Sequence, residues 1–169
     1  MKILKKLLIC VVFLLLVFFF LIPKDSKKIN ATTVEECCML FDDPQLNNQI
    51  TNASRTLLNN KEFYDYLKKN IHPNNGSFTD LNELKNDAFF SKQEQDLMID
   101  AFSLFKGLSR IENHEGYVEI VLLLESRHNV SLYYFPKDSI FIDKYESYMR
   151  YFQQFYNVVH IDDNWCMGI

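Results

Sequence analysis

What this chain of 169 residues lacks narrows its chemistry before any motif is found. It has no internal repeat and no low-complexity tract beyond one apolar run near its start, which excludes solenoid and propeller architectures. Its four cysteines include no pair at two-residue spacing, the arrangement that turns two sulfurs toward one metal, so a cysteine zinc site has no support. No nucleophile turn and no recognisable oxyanion donors surround any of them. The histidines His72, His114 and His128 have no partner at ligand spacing and read as solvated loop residues beside Asn or Pro. Glycine is scarce beside abundant Asn, Lys, Ile and Phe, a bias of AT-rich coding that carries no information about the fold. A basic excess is missing too: after Lys28 the chain holds 12 basic and 21 acidic residues, a net charge of −9. Such a domain repels phosphate backbones, which excludes nucleic acid as a partner.

What is present is dominated by the run Leu7 to Ile22, sixteen residues without a charge, placed behind Lys2, Lys5 and Lys6. At ~1.5 Å per residue it spans ~24 Å, against a hydrocarbon core of ~30 Å. Ile3 and Leu4 extend the apolar surface, and lysines at both ends can snorkel, so the effective length reaches the bilayer width. A signal-peptidase cut needs small residues three and one positions before it, close behind the apolar core. Phe20 to Asp25 supplies none, and Ala31 and Thr33 lie well beyond the core. Residues 1–23 are therefore expected to be an uncleaved transmembrane signal-anchor and 24–32 a polar stem. Cys10 follows Ile9 inside the run, unlike a lipid-attachment cysteine. Three lysines lie on each side, a tie under the positive-inside rule, but a short amino-terminal start usually stays cytoplasmic. The carboxy-terminal domain is then outside the cytoplasm.

Residues 33–169 are expected to form one α+β domain, with helices packed on an antiparallel sheet. Thr33-Val-Glu-Glu36 is a capping box opening a helix through Phe41, and Asp43-Pro44 restarts helix with an N-cap and a first-turn proline. Ile50, Ala53 and Leu57 keep helical spacing, and Phe63, Tyr66 and Leu67 continue it after a break at Asn59-Asn60. His72 to Ser77 reads as a turn and Asp80 to Glu83 as a short helical turn. Ser91-Lys-Gln-Glu94 is a second capping box, ahead of a helix predicted to run through Phe105 and Leu108. After a turn at Glu112 to Gly116 the period becomes two, with Val118, Ile120, Leu122 and Leu124 alternating and Val130 to Phe135 pairing as a hairpin. Phe141, Tyr145, Tyr148, Met149, Phe152 and Tyr156 follow as an aromatic helical face. Val158 to Ile161, the turn Asp162-Asp163-Asn164 and Trp165 to Ile169 close the chain.

The candidate chemistry is sparse. Cys37, Cys38 and Cys166 are an odd number beyond the anchor, leaving one disulfide from Cys166 to either vicinal cysteine, or three thiols. Cys166 with His160 and Asp162-Asp163 is the best catalytic set, a thiol with a base and an orienting acid. The same His160, Asp162 and Asp163 have donors for a metal, although Asp-Asp-Asn is foremost a turn sequence. Asn30, Asn52, Asn75 and Asn129 match Asn-x-Ser/Thr and are glycosylation sites if the chain enters a eukaryotic or viral secretory route.

The layout resembles short membrane-anchored bacterial envelope proteins of uncharacterised function: a basic start, an apolar anchor, helices, an apolar hairpin carrying Leu132-Tyr133-Tyr134, and a terminal strand opened by Asp163-Asn164-Trp165. The resemblance implies no activity and transfers no functional residue. The expectation is a non-catalytic, single-pass membrane protein whose acidic extracytoplasmic domain binds another protein, as an envelope inhibitor or immunity protein does, with no cofactor. The alternatives are a type II secretory-route glycoprotein and a thiol-dependent enzyme using Cys166 and His160.

Overall fold

Residues 33–70, 76–123, 129–136, 150 and 157–169 are described by a computed structural model. The anchor and stem, Asn30, His72, Asn75, His128 and the aromatic positions from Phe141 to Tyr156 lie outside them. Among the described residues no helix is long and apolar enough to cross a membrane.

The amino half is built from local caps. Thr33 closes the expected box on α1 (Val34–Asp42): its Oγ1 accepts from Glu36 N at 3.2 Å, and Glu36 Oε2 accepts from Thr33 N at 3.2 Å. Asp43 then caps α2 (Pro44–Asn59) by accepting from Gln45 N and Leu46 N. Asn60 makes the break between α2 and α3 (Lys61–Asn70): its Oδ1 accepts from Phe63 N at 2.9 Å, and its Nδ2 donates to Phe89 O at 2.7 Å. A 3-10 turn at Leu81–Lys85 is capped by Asp80, and α4 (Lys92–Phe102) opens on the Ser91 capping box.

The carboxy half is a six-stranded antiparallel sheet. The strands are β1 (Gly76–Phe78), β2 (Leu108–His114), β3 (Tyr117–Leu123), β4 (Asn129–Tyr134), β5 (Val158–His160) and β6 (Trp165–Gly168). Their spatial order is β1-β2-β3-β4-β6-β5. Among the described residues, four helices packed on this antiparallel sheet make the α+β class read from the sequence. The β3–β4 hairpin forms where the alternation places it, and β5 and β6 pair across the expected turn at Asp162-Asp163-Asn164.

Two expectations fail. The helix predicted to reach Leu108 stops at Phe102, and β2 takes Leu108 to His114, so the turn shrinks from Glu112–Gly116 to Glu115-Gly116. Gly116 adopts φ 110°, a backbone conformation that glycine reaches without a Cβ penalty. Likewise Gly76 and Ser77, expected in a turn, pair with Asn113 and Glu112 as β1. Both strands exist through pairing between distant segments, which overrides weak local preference.

One sheet face meets the helices. Phe78, Ile111, Val118, Ile120, Leu122, Leu132, Tyr134, Trp165 and Met167 bury there with Leu40, Ile50, Leu57, Phe63 and Met98. Trp165 is fully buried, with its ring 4.9 Å from Phe41 and 5.2 Å from Tyr134, and its Nε1 donates to Thr51 Oγ1 at 2.9 Å. Buried Asn113 donates from Nδ2 to Leu57 O at 3.0 Å, satisfying the C-terminal turn of α2.

The Ser91 box makes a pH-dependent prediction. Bonds from the Ser91 hydroxyl and N–H hold the Glu94 carboxyl below the ordinary value of 4.5. A depressed carboxyl contributes stability that is present above its unfolded pKa and lost as pH falls through the folded one. Ser91→Ala is expected to cost about 1 kcal/mol at neutral pH. Denaturant unfolding should show that penalty shrinking as the solution is acidified through the carboxylate range; a penalty independent of pH would contradict the coupling.

Candidate functional site

The two-residue period that buries Ile111 and Asn113 against the helices turns Arg110, Glu112 and His114 to the opposite face. In the same way, burying Val118 and Ile120 turns Tyr117 and Glu119 there. The hairpin register then sets Glu112 opposite Glu119 and His114 opposite Tyr117.

These side chains converge. His114 Nε2 lies 3.3 Å from Glu112 Oε2 and 3.4 Å from Glu119 Oε2. Glu112 Oε1 accepts from Arg110 Nε, and Glu119 Oε1 accepts from Ser131 Oγ at 2.7 Å on β4. Each carboxylate is thus held through one oxygen and turns the other toward the imidazole. The His114 ring stacks on Tyr117, with centroids 4.2 Å apart and planes 13° from parallel. Its Nε2 is buried and forms no directed hydrogen bond among the described residues. Glu112 is 5% exposed, so two carboxylates face each other where solvent screens them poorly. Burial disfavours charge on His114, but the two glutamates outweigh it and raise the pKa above 6.5. Arg110, Glu119, Ser131 and Tyr133 also border a cavity of about 230 Å³, and His114 borders a second of about 490 Å³ beside Lys61, Tyr64 and Lys68.

Sequence reasoning placed His114 in a loop without a ligand partner; it stands at the end of β2 with two. The available signal was Glu112-Asn113-His114, an i, i+2 pair, followed by Glu119 across a two-residue Glu115-Gly116 turn.

The residues singled out from the sequence do not assemble into one site. Cys37 is buried in the helix-side core, and Cys38 packs at its margin. Cys166 points to the other face, beside Tyr133 and Phe135. The sheet lies between Cys166 and the Cys37-Cys38 pair, so the disulfide considered from Cys166 to Cys37 or Cys38 would have to cross it. His160 does pair with Cys166 in the β5–β6 register. Burial pushes the Cys166 thiol up to about 12, the opposite of the lowered value a nucleophile needs. Asp162 is a turn residue: its Oδ1 accepts from Asn164 N and Trp165 N, and its Oδ2 from Asn47 Nδ2 at 2.7 Å. Of the four glycosylation matches, Asn52 lies within α2 with the hydroxyl residue of its motif, Ser54, fully buried. Asn129 is exposed at the start of β4, and Ser131 of its motif is engaged with Glu119.

Thiol chemistry checks this placement. A bulky maleimide should leave Cys37 and Cys166 unmodified in the native chain and label both after denaturation without reductant. A requirement for reductant would restore the disulfide.

Compared with protein-family models, with curated proteins and with solved structures, the chain matches none.

Proposed function

We propose that the chain is a single-pass membrane protein that displays its α+β domain outside the cytoplasm, where the domain binds another protein and performs no catalysis. An envelope inhibitor, including a toxin-immunity protein, is the concrete form of this reading. The observation that carries it is the uncharged run Leu7 to Ile22 behind three lysines, joined to a domain of net charge −9. The run supplies a membrane segment, and a long following domain is translocated largely regardless of its own charge.

The distribution of charge supports a basic partner. From Asp80 to Asp100 the chain carries Asp80, Glu83, Asp87, Glu94, Asp96 and Asp100 against Lys85 and Lys92. All but Glu83 of those acids are exposed, and one lysine is paired, Lys92 with Asp96 at 2.6 Å. A surface of one sign steers an oppositely charged protein into encounter and sets the salt dependence of association. The burial of Cys166 fits a domain whose cysteines serve packing.

Protease digestion of sealed, carbonate-washed membranes tests the topology. The domain should be cut only from the non-cytoplasmic side; protection there would place it in the cytosol and overturn the reading. For the partner, co-purification from membranes at low salt should yield a basic protein that moderate salt releases. Asp96→Lys combined with Asp100→Lys should slow its association roughly tenfold. Recovery of no stable partner at low salt would remove the inhibitor reading.

A further inference from the structure

We propose that Glu112, His114 and Glu119 bind one zinc-type divalent metal ion, with Glu112 Oε2, His114 Nε2 and Glu119 Oε2 as its three protein ligands. The proposal goes beyond the protein-binding reading and does not depend on it.

Four observations carry it. The first is the donor set: the three ligand atoms lie within 4.8 Å of one another and combine an imidazole nitrogen with two carboxylate oxygens. Imidazole selects first-row transition ions over magnesium and calcium, which take oxygen alone. The second is spacing. A tetrahedral zinc ion with bonds of about 2.0–2.1 Å holds neighbouring ligand atoms about 3.3–3.4 Å apart, whereas octahedral geometry at that bond length brings them to about 2.9 Å. The nitrogen stands 3.3 and 3.4 Å from its two oxygens, which matches two edges of that tetrahedron, and the two oxygens lie within 4.8 Å of each other.

The third is outer-shell support. Arg110 holds the remaining oxygen of Glu112, and Ser131 holds that of Glu119 at 2.7 Å, while the Tyr117 ring fixes the imidazole plane. Metal ligands are oriented by partners of this kind. The fourth is the orphan nitrogen: buried His114 Nε2 forms no directed hydrogen bond among the described residues, although two carboxylate oxygens face it. An imidazolium has a single N–H at Nε2 and can only share it, weakly, between the two oxygens, whereas a metal ion between the three atoms engages all of them. Three protein ligands leave a fourth tetrahedral position for water or an external donor, the pattern of open zinc sites.

The test uses the full chain purified in detergent, stripped with a chelator and titrated with zinc alone against a chromogenic competitor. One equivalent should bind with micromolar or tighter affinity. His114→Gln and Glu119→Gln should each weaken binding by at least about a hundredfold, and Ser131→Ala by about tenfold. Cobalt(II) should give the intense visible bands of tetrahedral coordination without a thiolate charge-transfer band, which separates this site from the cysteines. Circular dichroism in chelator establishes that each variant is folded. If a variant fails to fold, the wild-type stoichiometry, the cobalt spectrum and the rise in melting temperature with zinc decide the matter. Failure of the wild type to bind at micromolar zinc would leave an imidazolium ion pair and overturn the proposal. Binding that persists in His114→Gln, or a thiolate band, would overturn it as well.

Discussion

Two glutamates face each other across a pair of antiparallel strands, and the opposite sheet face is organised around that conflict. Like charges directly opposite are destabilising, more so when half-buried. Glu112 and Glu119 are nevertheless register partners with little exposure. Neither can turn away, because the period of two that buries Ile111, Val118 and Ile120 on the helix side assigns both acids to the other side. The repulsion is met by what surrounds them: Arg110 on one carboxylate, the Ser131 hydroxyl on the other, and the His114 imidazole between. A cation at that point, proton or metal, is what electrostatics asks for there.

The helix-side core holds the register that creates this arrangement. Trp165 and Tyr134 pack under Phe41 at one end of the sheet, while Phe63 packs against Phe78 and Phe90 toward the other. Polar ties cross the layer at defined places, Asn113 to the end of α2, Trp165 to Thr51 and Asp162 to Asn47. The ties of Asn113 and Trp165 each satisfy a group whose burial without a partner would cost about 1–3 kcal/mol. A one-residue slip would exchange the faces, burying Glu112 and His114 among the helices and presenting Ile111 and Asn113 on the far side.

What was legible in the sequence follows the range of the forces involved. The caps at Thr33, Asp43 and Ser91 act on groups two or three residues away, so helix starts could be read directly. The strongly alternating β3 and β4 could be read as well. Strands β1 and β2 could not: Asn74-Asn75-Gly76-Ser77 has turn chemistry, and Leu108 continues the apolar spacing of the preceding helix. With β2 hidden, His114 looked like a loop residue, and the spacing of Glu112, His114 and Glu119 carried no meaning until β2 and β3 were paired.

The sequence by itself determined the helix boundaries set by caps, the apolar run Leu7 to Ile22, the acidic balance beyond it and the hairpin that centres the sheet. These depend on neighbours along the chain or on composition. Only the tertiary structure decided that Cys37 and Cys166 lie on opposite sides of the sheet and that Glu112, His114 and Glu119 meet. Those outcomes depend on which segments pair and in what register, and the register is chosen by burial of the whole helix-facing surface.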